Sequence, residues 1–331
     1  MNYIVDKFLS EGLMGKVYLV HKGRTKYAMK VEYISGKNDR YLKNELKFVK
    51  NVAEKYPEQF IQLVDYRIIE NCKEEAPPIK EFIKGKELEW FKKLRSSGVC
   101  VQKVYTLIDT TLHNLPISEM SLSQVYSMLI QGLYICYLFE KNGYVHGDFH
   151  HGNVGVLRVS NKKKIKIFGE YVPTFGYQYK AIDYGGILQK KTASKKHLYQ
   201  QRDITEYKHF QEHKIADKLG LIGGMWNEKS FWDFIDENKI EMKGYDHDLA
   251  LILKQKEALY LNTLSNNKWI KFDLFKLLFP ERFQKLVLGK KYHKTIEFKT
   301  YIPLVDIVYC LMNINNLEIV IKYLIERLKN I

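Results

Sequence analysis

The stretch from Ser121 to Asn142 constrains this chain more than any other. Residues Tyr126 to Phe139 are almost wholly apolar, and a serine start with an Asn142-Gly143 stop frames a helix over 121–142. The run is short for a bilayer span and carries Gln131 and Gly132, so it reads as a helix buried in a protein core, with no transmembrane segment. It delivers the chain straight into Tyr144-Val145-His146-Gly147-Asp148-Phe149-His150-His151-Gly152-Asn153. There an acid stands five positions before an amide, with glycines at two bends. A second acid follows in Ile182-Asp183-Tyr184-Gly185-Gly186. A carboxylate to steer a hydroxyl, with an amide and a second carboxylate to hold a divalent cation, is the set of groups phosphoryl transfer asks for.

Upstream, residues 1–34 alternate apolar and polar between glycine-bearing turns, the pattern of a strand meander. Gly12 and Gly15 lie between its first two strands. Glycines there let backbone N–H groups approach a phosphate, although such a pair also makes an ordinary turn. Lys30 is flanked by Ala28, Met29 and Val31, which suits an inward lysine paired with an anion; an edge lysine facing water is the alternative. Tyr41, Leu42, Leu46, Phe48, Val49 and Val52 recur at helical spacing over 39–55. Glu45 on that helix is a partner for Lys30, or else part of a polar face with Lys43 and Lys47. Residues 60–69 and 101–109 read as strands, 87–94 as a short helix and 110–115 as a connector. Past Asn153, residues 154–159 and 164–168 read as a hairpin, and 179–182 as a short strand into Asp183. Beyond 187 the chain is polar to about 214 and then mostly helical, closing with helices over 304–312 and 317–328. Asp246 and Asp248 are candidate anchors for a central helix there.

The composition fits a globular chain: of 331 residues, 46% are hydrophobic and 27% charged. Lys and Arg number 53 against 38 Asp and Glu, a net charge of +15. That balance admits acidic or phosphorylated partners, anionic lipid or nucleic acid, although the lysines are dispersed and read equally as solvated faces. Cys72, Cys100, Cys136 and Cys310 show no metal-ligand spacing and read as free thiols in a reducing, cytoplasmic compartment. His146, His150 and His151 are too crowded for a zinc site.

Taken in order, these features resemble the protein-kinase-like superfamily, over roughly residues 4–190. The N-terminal half, with Glu11-Gly12-Leu13-Met14-Gly15-Lys16-Val17 and Tyr27-Ala28-Met29-Lys30, is similar to divergent Ser/Thr protein kinases encoded by large DNA viruses. The resemblance implies an α+β, two-lobed fold: a small antiparallel-sheet lobe with one main helix over 1–108, and a larger, mostly helical catalytic and substrate lobe over 109–331. It implies ATP and Mg²⁺ as cofactors and a protein hydroxyl as acceptor. Gly12, Gly15, Val17 and Ala28 match the nucleotide-binding loop and strand. Lys30 matches the phosphate-binding lysine and Glu45 its helix partner, while the chain around Ile108 and Asp109 would hold the adenine edge. Asp148 matches the catalytic aspartate, and Asn153 and Asp183 the metal pair.

Departures qualify the label. Ser10 stands at the first loop glycine, Gly147 replaces the arginine usual before the catalytic aspartate, His150 replaces a lysine, and Tyr184 replaces a phenylalanine. No Ala-Pro-Glu motif follows Asp183. His146-Gly147-Asp148 with His150 is instead similar to aminoglycoside and choline phosphotransferases, so a small-molecule kinase is the second reading. An inactive kinase-like binding module is the third.

Overall fold

Strand alternation in the first hundred residues is spent on one sheet. Strands β1 (Ile4–Glu11), β2 (Gly15–Lys22), β3 (Thr25–Tyr33), β4 (Leu63–Glu70) and β5 (Val99–Thr106) pair antiparallel in the order β1-β2-β3-β5-β4. The computed structural model describes residues 2–12, 14–79, 85–115, 120–189, 217–218, 310 and 315–331. Over these the chain is a mixed α+β protein with antiparallel sheets and few helices.

Helix α1 (Arg40–Asn51) begins where Asp39 accepts the N–H groups of Tyr41 at 2.9 Å and Leu42 at 3.0 Å. It buries one face, made of Leu42, Glu45, Phe48 and Val49. Phe48 meets Phe60, Phe139, Tyr144 and Tyr184, all with ring centroids within 5.4 Å, and so ties this helix to the second half of the chain. Helix α2 (Gly85–Ser96) precedes β5.

Beyond β6 (Thr110–Thr111), helix α3 (Leu122–Lys141) starts with a reciprocal capping box between Ser121 and Gln124 and stops at Asn142, followed by Gly143 at φ +75°. It is long and apolar enough to cross a membrane, yet 72% of its apolar window is buried inside the molecule. Its polar residues explain their presence. Ser127 donates to the Pro173 carbonyl at 2.7 Å, and Gln131 both donates to the Tyr177 carbonyl at 3.1 Å and accepts from the Tyr179 N–H at 3.0 Å.

After β7 (Tyr144–Val145) come β8 (Val154–Arg158), β9 (Lys164–Ile167), β10 (Glu170–Pro173), β11 (Tyr177–Ala181) and β12 (Leu188–Gln189). The hairpin expected between 154–159 and 164–168 is not formed. Strand β8 pairs with β11 and β6 instead, and β9 pairs with β10. Apolar alternation marks a strand's faces and leaves its partner open, and the tighter turn at Phe168-Gly169 takes β9. Helix α4 (Leu317–Lys329) packs on α3 through Val320, Ile321 and Leu324. The helices expected over 304–312, and most of the region after 190, lie outside the described residues.

The free-thiol reading is corrected for two of the cysteines. Antiparallel pairing of β4 with β5 brings Cys72, just past the end of β4, beside Cys100, and the two form a disulfide with Cα atoms 5.6 Å apart. The argument from free thiols to a reducing compartment therefore loses these two residues, while Cys136 is a buried thiol. The loop clipped by this bond carries Glu74, whose carboxylate takes the Tyr18 hydroxyl at 2.5 Å and whose carbonyl takes the Tyr33 hydroxyl at 2.6 Å.

Candidate functional site

Residues two apart on a strand share a face, and residues directly opposite in an antiparallel pair share it too. Val17, Lys30 and Lys103 are successive partners across β2, β3 and β5, and Glu32 follows Lys30 on the same side. This face looks toward α1 and toward Asp183. Lys30 donates to Asp183 Oδ1 at 2.7 Å across 153 positions of sequence, and also pairs with Glu32 at 2.9 Å. Burial alone would pull the Lys30 ammonium down, but the Asp183 and Glu32 carboxylates outweigh it and hold it well above the ordinary lysine value. Burial would likewise raise Asp183, and the charge of Lys30 reverses that and holds it below the usual carboxylate range.

The pairing of Lys30 with Glu45 is not what the structure holds. Glu45 bonds the Lys103 ammonium at 2.6 Å and the Tyr105 hydroxyl at 2.5 Å, and both of its oxygens are engaged this way. Lys103 is fully buried and also bonds Glu32. A lysine inside strand β5 stands nearer to the helix carboxylate than Lys30 does, and once it is there its charge must be met locally.

The loop after β7 is held by its main chain. Asp217 accepts the N–H groups of His146 at 2.9 Å, Gly147 at 3.2 Å and Phe149 at 3.1 Å. Burial lifts its carboxyl to about 7 against the pull of these donors. Sequence reasoning missed Asp217: it is a lone acid between Ala216 and Lys218, with no motif around it. The alternatives named from sequence, Asp246 and Asp248, lie outside the described residues. His146 is buried, bonds the Ile182 carbonyl through Nε2 at 2.8 Å, and is pulled down to about 4 by burial, so it is neutral near pH 7.

Gly147 sits at φ +84°, and a Cβ there would lie 2.6 Å from the Gly186 carbonyl oxygen. With this crossing fixed, the Asp148 side chain projects outward, 46% exposed. Asn153 donates to the Asp148 carbonyl at 2.8 Å and to its carboxylate at 3.4 Å, and His150 stands 3.8 Å from that carboxylate. Partial burial raises the Asp148 carboxyl, with His150 opposing and Asp183 reinforcing the rise. Asp183 reaches this loop through its neighbour: the Ile182 N–H bonds the Asn153 carbonyl at 3.0 Å. Asp183 itself is left-handed at φ 58°, a conformation that costs energy in a non-glycine residue, though less in an Asp or Asn than in most. Tyr184 is buried beneath it and donates to the Ile61 carbonyl at 2.9 Å.

Lys30, Glu32, Glu45 and Asp183 line one cleft together with Met14, Gly185, Tyr41, Trp90 and Leu94. Gly12, Gly15, Val17, Ala28, Ile108 and Asp109 lie outside its lining, and so do Asp148 and Asn153. Gly12 donates to the Gly15 carbonyl at 2.9 Å in an exposed turn. Gly15 is required by packing, since a Cβ there would meet the Val31 carbonyl oxygen at 2.1 Å. Ala28 stands opposite Leu19 and Tyr105. Ile108 covers Gly155, and the Asp109 N–H is used by the Val156 carbonyl at 3.0 Å.

One carboxylate and one amide oxygen, from Asp183 and Asn153, suit a hard cation such as Mg²⁺ that keeps waters and shares phosphate oxygens. Among the described residues no cluster of three or more His, Cys, Asp or Glu forms an all-protein metal cage. The arrangement offers a cation at Lys30, a partly exposed acid at Asp148, and oxygen donors between them. No protein-family model matches the chain, and no match is found among curated proteins.

Proposed function

We propose that the chain is an ATP- and Mg²⁺-dependent phosphotransferase with a two-lobed, kinase-like arrangement, acting on a protein Ser or Thr hydroxyl. The observation that carries this reading is the Lys30–Asp183 contact beside the Asp148–Asn153 pair, with the loop of the latter fixed by Asp217. In this reading Lys30 binds phosphate oxygens of the nucleotide, and its raised basicity keeps it charged at every working pH. Asp148 accepts the hydrogen bond of the acceptor hydroxyl and aims its oxygen at the phosphorus. Asn153 steadies the Asp148 carboxylate. Asn153 and Asp183 would hold Mg²⁺, which when bound neutralises phosphate charge. Transfer of this kind is mostly positioning and electrostatics, so few groups suffice.

Incubation with γ-labelled ATP and Mg²⁺, with and without basic and acidic acceptor proteins, followed by mass spectrometry, tests the reading. Labelled Ser or Thr that disappears in Asp148→Asn supports it. Labelling that persists undiminished in Asp148→Asn refutes it. A second reading, a small-molecule kinase, draws on Gly147: its closed, positive-φ position fits the His-Gly-Asp pattern rather than an arginine-bearing loop. Consumption of ATP with a metabolite panel and no protein labelling selects that reading. Absence of any ATP-dependent thermal shift selects the inactive binding module.

A further inference from the structure

Five charged side chains under the sheet form an unbroken alternating row. Asp183 Oδ1 meets Lys30, Lys30 meets Glu32 Oε2, Glu32 Oε1 meets Lys103, and Lys103 meets Glu45 Oε2. The Tyr105 hydroxyl closes the row on the remaining Glu45 oxygen. Lys103 is 0% exposed and Glu45 2%, so neither has water to fall back on. For Glu45 to reach Lys30 it would have to abandon Lys103 and Tyr105 together, leaving a buried ammonium and a buried hydroxyl short of a partner. Glu32 already touches Lys30 and needs no rearrangement. Its place is set from the other side as well: a Cβ on Gly15 would lie 2.8 Å from the Glu32 Cβ, so β2 presses directly on it.

We infer that Glu32 is the carboxylate that positions Lys30 for the nucleotide, and that Lys103 holds Glu32 in place by bridging it to Glu45 on α1. The helix then acts on Lys30 at one remove, through a lysine of β5. The inference rests on the phosphotransferase reading for its nucleotide and on geometry alone for its pairing.

Glu32→Gln and Glu45→Gln each remove one of the two carboxylates of Lys103, so a purely structural role makes them alike. Steady-state kinetics in MgATP separates them. Glu32→Gln raises KM for MgATP roughly tenfold or more, while Glu45→Gln raises it less than about threefold. Glu32→Asp, which keeps the charge one methylene short, falls between wild type and Glu32→Gln. Thermal-unfolding cycles with Lys30→Met supply a readout that needs no nucleotide. The Lys30/Glu32 double variant loses clearly less than the sum of its single losses, and falls short of that sum by a larger margin than the Lys30/Glu45 double variant does. A larger KM effect for Glu45→Gln, or a cycle that couples Lys30 to Glu45 and not to Glu32, overturns the inference and leaves the phosphotransferase reading standing. Wild-type protein that shows the Lys30–Glu32 coupling but neither binds nor turns over MgATP overturns that reading, and with it the positioning role of Glu32.

Discussion

Two regions of the molecule hold charge in place by opposite means. Under the sheet, Lys30, Glu32, Lys103 and Glu45 are fixed by one another, side chain to side chain, in a nearly dry interior. In the loop after β7, the backbone of His146, Gly147 and Phe149 is fixed by Asp217, and the Asp148 side chain is left projecting toward solvent. The first arrangement makes each charge depend on its neighbours. The second leaves the Asp148 side chain out of the work of holding, which suits the role proposed for it. A change to Asp148 should therefore touch chemistry and spare stability, whereas a change to Lys103 should cost stability first.

The comparison breaks most visibly at Asp148. Asp148→Asn should lower ATP-dependent transfer by roughly 10³-fold with an unfolding midpoint close to wild type, because its side chain is half exposed and makes only long side-chain contacts. A matching loss of stability in thermal unfolding would show that the loop does not separate the two roles. Lys103→Met is the counterpart under the sheet. It leaves Glu32 and Glu45 buried without their shared cation, a loss of about 3–5 kcal/mol in urea unfolding. A near-neutral result would mean water reaches that row.

Asp217→Ala removes the acceptor of three buried N–H groups, and should cost about 3 kcal/mol in the same measurement, with transfer falling alongside it as the loop loosens. Retention of full activity would show that Gly147 and its neighbours hold the loop unaided. The smallest effect is one of pH. Folded His146 lies near 4, below its unfolded value of about 6.5, so its contribution is lost as pH falls through that window. Folded Asp217 lies near 7, above an unfolded value of about 3.9, so its contribution is present at low pH and lost as pH rises through much the same window. The two slopes oppose each other. Asp217→Asn removes one of them, and its unfolding midpoint should fall more steeply than wild type between pH 6.5 and 4. Parallel profiles would show that Asp217 does not titrate there.

Local pattern carried a good part of this architecture. The first three strands, α1, the capped helix α3 and the closing helix α4 follow from apolar spacing, Ser121, Asn142 and the turn glycines. The sequence also singled out Lys30, Asp148, Asn153 and Asp183, and the fold gathers the first with the last and the middle two with each other. What it did not carry was partnership at a distance. Lys103 reads as a polar residue next to Gln102 between Val101 and Val104, and nothing local says that it will take Glu45 from Lys30. Asp217 is 68 to 71 positions from the groups it binds. Cys72 and Cys100 meet only because β4 lies against β5, and β8 chooses β11 over β9 for reasons of turn geometry that alternation does not encode.

Gly147 has a consequence for the paths open to this lineage. Glycine and arginine codons differ by a single base, so an arginine ahead of Asp148 is one mutation away. The Gly186 carbonyl and the positive φ close that path, because any side chain at 147 would have to displace the segment that carries Asp183. A side chain at 147 and the present course of the Asp183 segment thus compete for the same space, so the lack of a side chain ahead of Asp148 is tied to where Asp183 meets Lys30.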